Sequence, residues 1–101
     1  MSKKNKYILS VRSKEDIKSI ALYTIEKFGL EQSKKCAIGL SKELEFLSQN
    51  PNHGKRYLST SKKMLFRYRY ISHMIFYYPT ESGIFIVRVL GGRMNFLKHI
   101  K

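Results

Sequence analysis

The sequence predicts an α+β domain of order β-α-α-β-β-β, a helix hairpin packed on an antiparallel sheet. Three observations carry this expectation. Two consecutive segments, 13–28 and 31–50, repeat apolar residues at three- and four-residue spacing. The second half holds three runs, 64–71, 73–78 and 84–90, dense in β-branched and aromatic residues. The joins within each half are short, which favours neighbouring antiparallel elements. A chain of 101 residues is the size of one domain, able to bury roughly two thirds of its surface without staples. It is read as a single domain, 1–101.

Met1 to Lys6 is a polar, basic lead-in, followed by a short strand, Tyr7 to Val11. Ser13 is read as the N-cap of the first helix, with Asp16 three positions on in the manner of a capping box and both Glu15 and Asp16 near the positive end of the helix dipole. Ile17, Ile20, Ala21, Thr24 and Phe28 form its apolar stripe, and Gly29 stands where a positive-φ terminator is wanted. The second helix carries Ala37, Leu40, Leu44 and Leu47, and it must stop before Pro51, which pushes Asn50 out of helical geometry. Asn50 to Lys63 has the composition of a crossing loop. Met64 to Ile71 alternates, with Leu65, Arg67, Arg69 and Ile71 on one face and Met64, Phe66, Tyr68 and Tyr70 on the other. His73 to Tyr78, a turn over Pro79 to Gly83, and Ile84 to Leu90 complete a meander. In the last strand, alternation sets Ile84, Ile86, Arg88 and Leu90 against Phe85, Val87 and Val89. Both faces are apolar, so the strand belongs in the sheet interior, and Arg88 needs a partner. The basic tail from Arg93 to Lys101 holds Met94, Phe96, Leu97 and Ile100 and is expected to pack back onto the domain.

Composition narrows the function classes. One cysteine, Cys36, forbids an internal disulfide, and His53, His73 and His99 are scattered without metal-ligand spacing. No metal and no cofactor is expected. No apolar run approaches the roughly 20 residues of a membrane helix, and the run at Tyr7 to Leu9 ends at Ser10, too soon for an export signal. A cytoplasmic protein with no membrane partner is expected. Twenty Lys and Arg against seven Asp and Glu give +13. From Phe46 onward there are ten basic residues and one acid, Glu81. The second half therefore calls for an anionic partner, either nucleic acid or an acidic protein.

Acid–base chemistry is poorly supplied, because the carboxylates between residues 15 and 45 fall on the outward sides of helices. RNA cleavage by Lys, His and Arg stays open. The alternation at 66–70 separates aromatics from arginines, unlike a base-stacking platform. With the helices on one face of the sheet, the opposite face holds Arg67 and Arg69, a basic surface suited to carboxylates or phosphates. Strand register decides whether Arg88 joins them.

Asp16-Ile17, Ile20, Tyr23-Thr24, Phe28-Gly29, Asn50-Pro51, Gly54, Ser72-His73-Met74-Ile75-Phe76-Tyr77, Ile86-Val87-Arg88-Val89-Leu90, Arg93-Met94-Asn95 and His99, in this order and spacing, resemble the RelE/ParE superfamily of toxins from bacterial type II toxin–antitoxin modules. The wording is closer to the ParE branch. The resemblance implies a helix hairpin on an antiparallel sheet, plasmid stabilisation, and a ParD-like antitoxin whose acidic C-terminal segment wraps the toxin. For ParE-like members it implies inhibition of DNA gyrase without catalysis, with Arg67, Arg69, Arg88, Arg93, Met94, Asn95 and His99 as the partner-binding residues. Two alternatives remain. One is a RelE-like, ribosome-dependent and metal-independent mRNA endonuclease with Arg67, Arg88 and His99 as its catalytic candidates, and the other is a plain nucleic-acid-binding module.

Overall fold

Ser10 joins the first two elements with no loop between them. Strand β1 (Lys6–Leu9) runs straight into helix α1 (Val11–Phe28), and Ser10 is the N-cap: its Oγ accepts from Ser13 N–H at 3.0 Å. The same hydroxyl donates to the Val87 carbonyl at 2.8 Å, and the Ser10 N–H donates to Ile86 O at 3.0 Å. The helix thus starts one turn earlier than the sequence predicts. Ser13 is a buried interior residue whose Oγ donates to Ser10 O. Asp16 lies in the second turn, too far along to close a capping box, and is left for another partner.

The computed structural model of the chain describes residues 6–59, 64–71 and 73–91. Helix α2 (Leu30–Gln49) follows α1 after the single residue Gly29, at φ 93° and ψ 166°. That backbone region is essentially closed to residues with a Cβ. A positive φ was expected here; the extended ψ was not. The last four elements are β2 (Lys55–Ser59), β3 (Met64–Tyr70), β4 (His73–Thr80) and β5 (Gly83–Gly91). The sheet has five strands in the order β1-β5-β4-β3-β2, with β1 parallel to β5 and the other pairs antiparallel.

The α+β hairpin-on-sheet architecture is as predicted, with one strand more. β2 lies inside the segment read as a crossing loop. Its five residues KRYLS lack two-residue alternation, and its ladder with β3 shifts between Arg56 and Leu58, so no strand pattern was present to read.

Leu40, Leu44 and Leu47 of α2 pack on Phe66, Ile75, Tyr77, Ile84, Ile86 and Val89, with Ile17, Ile20, Tyr7 and Leu9 at the margin. Burying each such aliphatic side chain contributes about 1.5–3 kcal/mol. A second cluster, Leu65, Phe76 and Leu90 with Met74, Tyr78 and Val87, lies on the opposite sheet face. The division of β5 departs from simple alternation because its register with β4 shifts between Phe76 and Tyr77. This bulge puts Val89 with Ile84 and Ile86, and Leu90 with Val87, the reverse of the expected assignment for residues 89 and 90. Buried Tyr77 ties down the turn after α2, its hydroxyl accepting from Gly54 N–H and donating to Pro51 O, each at 2.9 Å.

Candidate partner-binding site

Arg88 is held from outside the sheet. Strand β1 ends at Leu9, so beyond Ile86 the edge of β5 has lost its neighbour, and the first turns of α1 take its place. Asp16 accepts from Arg88 Nε and Nη2, both at 2.8 Å, and from Val89 N–H at 3.0 Å. One carboxylate therefore neutralises a guanidinium in the forked geometry and satisfies an edge donor. Bonding to Asp16 holds the Arg88 pKa above the usual guanidinium value, against a smaller opposing effect of burial.

The expected basic face is present in part. Lys55 pairs with Arg67, Arg67 with Phe76, and Phe76 with Arg88, so the four lie in one row across the sheet. Arg69 lies opposite Met74, and its Nε donates to the Ile71 carbonyl at 3.0 Å. Arg67 and Arg69 thus share the face turned away from the helices, while the Arg88 guanidinium is drawn to α1. Arg93, Met94, Asn95, His99 and the tail that contains them lie outside the described residues.

Sequence reasoning missed a second feature. Between the Gly29 end of the helix hairpin and the β3–β4 turn lies an open, largely apolar groove of about 490 Å³. Ile17, Ile20, Tyr23 and Phe28 of α1 line one wall, Cys36 and Leu40 of α2 the other, and Tyr70, Ile71, His73 and Val89 the sheet side. Phe28 belongs to the apolar stripe of α1 yet is 69% exposed, because the hairpin reaches past the sheet that buries Ile17 and Ile20. Ile71 is 65% exposed at φ +56°, a backbone region that costs a β-branched residue about 1–2 kcal/mol. An exposed aliphatic side chain in a strained turn thus stands at the mouth of the groove. Burial in the groove lowers the His73 pKa. Burial is also the main cause raising that of Tyr70, with smaller contributions from Cys36 and Glu43. The sequence held one sign of this groove, an apolar stripe on α1 longer than its sheet cover.

Among the described residues, no group of three or more His, Cys, Asp or Glu is placed to hold a metal ion, and no helix is long and apolar enough to cross a membrane.

Comparison with known proteins fits this geometry. No curated protein matches the chain. Its fold is similar to a chain of the chromosomal ParDE toxin–antitoxin system from P. aeruginosa, with a TM-score of 0.70 at 15% identity, covering 89% of this chain and 98% of that one. The family model described as the ParE toxin of the type II toxin–antitoxin system parDE matches residues 7–96. That span runs from β1 through the whole sheet, and on it the chain belongs to the ParE toxin family of type II toxin–antitoxin systems.

Proposed function

We propose that this chain, acting as one cytoplasmic domain, inhibits DNA gyrase and so blocks replication, and that a cognate ParD-like antitoxin with an acidic C-terminal segment neutralises it. Family membership supplies the toxin–antitoxin context. The observation that favours a binding toxin over a ribonuclease is the Asp16–Arg88 pair. The guanidinium best placed by sequence to stabilise a phosphorane has its Nε and Nη2 on a carboxylate, 12% exposed. Such a group serves the fold, not a scissile phosphate.

The apolar groove and the Arg67–Arg69 face support the antitoxin part. Both surfaces suit an amphipathic, acidic partner segment, with the apolar groove taking its hydrophobic side and the arginines its carboxylates.

A supercoiling assay with purified gyrase tests the target. The expected result is loss of supercoiling and accumulation of cleaved DNA, both reversed by antitoxin. Unimpaired supercoiling at stoichiometric excess, together with truncated translated messages in arrested cells, would instead establish the endonuclease alternative. Salt-sensitive binding to naked DNA or RNA without growth arrest would establish a plain nucleic-acid-binding module.

A further inference from the structure

Helix α2 carries a glycine near its midpoint, Gly39, where helix propensity disfavours one. The sheet supplies the reason. A Cβ at Gly39 would collide with the Tyr70 hydroxyl oxygen and stand 3.3 Å from Cζ and 3.9 Å from Cε1 of the same ring. Tyr70, the last residue of β3, therefore crosses to α2 and sets the tip of its ring against bare helix backbone. Alanine would overfill this notch.

The ring that fills the notch is also a wall of the apolar groove, which it lines with Cys36, Ala37 and Leu40 of α2. His73, opposite Tyr70 across the β3–β4 turn, belongs to the same wall, so the placement of Tyr70 fixes the sheet side of the groove. Along α2 the notch has a neighbour on each side, Cys36 one turn before Gly39 and Glu43 one turn after. Both stand close enough to the Tyr70 hydroxyl to add to the burial that raises its pKa. On the Glu43 side the room is taken, because Tyr68 Oη donates to Glu43 Oε2 at 3.1 Å. On the Cys36 side lies the groove. A ring expelled from the notch would move into the groove and narrow it.

We propose that Gly39 is a positioning residue for antitoxin binding: its missing side chain lets Tyr70 lie against α2 and so holds the apolar groove open. The proposal rests on the reading above, in which this groove takes the hydrophobic side of the antitoxin. It adds the pair of residues that sets the width of the groove. Gly39 touches no partner itself and acts through Tyr70.

Isothermal titration of the cognate antitoxin into the full-length toxin and its variants, with urea midpoints measured beside it, tests this. Gly39→Ala is expected to weaken binding ~10-fold or more. Tyr70→Phe deletes the atom that meets the new Cβ and keeps the ring, so alone it is expected to bind as the wild type does. Combined with Gly39→Ala, it is expected to recover most of the lost affinity. Nuclear Overhauser contacts of the Tyr70 ring give a readout that stability does not move: they are expected to run to the Gly39 α-protons in the wild type and to Cys36 and Ile20 in Gly39→Ala. Phe28→Ser shortens an exposed groove side chain and tests the underlying reading by itself. Binding weakened by Phe28→Ser but not by Gly39→Ala overturns the proposal and leaves the groove reading standing; binding unaltered in both overturns both. A loss in Gly39→Ala that Tyr70→Phe does not restore, or a ring that keeps its wild-type contacts, assigns the effect to the helix and also overturns the proposal.

Discussion

Replacing Asp16 by Ala removes three hydrogen bonds at once: those from Arg88 Nε, Arg88 Nη2 and Val89 N–H. Arg88 and Asp16 are only 12% and 13% exposed, so water cannot readily replace the carboxylate. Breaking a buried pair by deleting one partner costs about 3–5 kcal/mol, against a total stability of about 5–15 kcal/mol for a domain. With a urea slope of roughly 2 kcal/mol per molar, a loss near ~4 kcal/mol lowers the unfolding midpoint by about 2 M. Asp16→Asn keeps one acceptor oxygen and should fall in between. The cycle is completed by Asp16→Leu with Arg88→Met, which removes both charges at similar volume and is expected to restore most of the loss. Urea titration of the four proteins decides. A midpoint shift for Asp16→Ala worth less than ~1 kcal/mol, or a double variant no better than the single one, would refute the view that this pair is a buried clamp.

Gly83→Ala should prevent β1 from docking, because a Cβ at φ 145° collides with the Lys6 carbonyl oxygen and crowds Lys6 N at 2.7 Å; loss of amide protection at Ile8 is the readout, and a native exchange pattern would contradict it. Ile71→Asn should stabilise the free protein by about 1 kcal/mol, since Asn accepts the left-handed region more readily, yet weaken antitoxin binding by removing an exposed groove residue. Calorimetry of both steps checks whether the two effects oppose each other. Burial lowers the His73 pKa below its ordinary 6.5, so the folded state binds fewer protons than the unfolded one. Its stabilising contribution is therefore fully present above about pH 6.5 and lost as pH falls through the folded value. Urea midpoints measured on both sides of that pH should show this slope, and it should shrink in His73→Gln.

The parts of the fold that sequence exposes are those with local period. Leu40, Leu44 and Leu47 lie on the buried side of α2 as their spacing requires, and the meander of β3, β4 and β5 follows its alternation. Non-local geometry was out of reach. Nothing near Tyr7 says that β1 will lie parallel to β5, and nothing near Arg88 points to a carboxylate 72 residues earlier. A mid-strand charge announces that a partner exists; its identity depends on where β1 stops. The bulge opposite Phe76 and Tyr77 likewise leaves no mark in a run of β-branched residues, although it decides which sides Val89 and Leu90 take. Of the expected site, Arg67 and Arg69 share a face as alternation requires, whereas the groove depends on how far the hairpin overhangs the sheet, a property of assembled elements.

The parallel pairing of β1 with β5 also has a consequence during synthesis. Ser10 and Val87, joined through a side-chain hydrogen bond, are 77 residues apart. At translation rates of ~5–20 residues per second, β1 waits about 4–15 s for the strand it must lie beside. Through that interval α1, α2 and the β2–β3–β4 ladders, which depend on near neighbours, can form while β1 has no strand to pair with. A ribosome that has made most of this chain therefore carries no finished toxin, because the nascent β1 still lacks the strand that orders it.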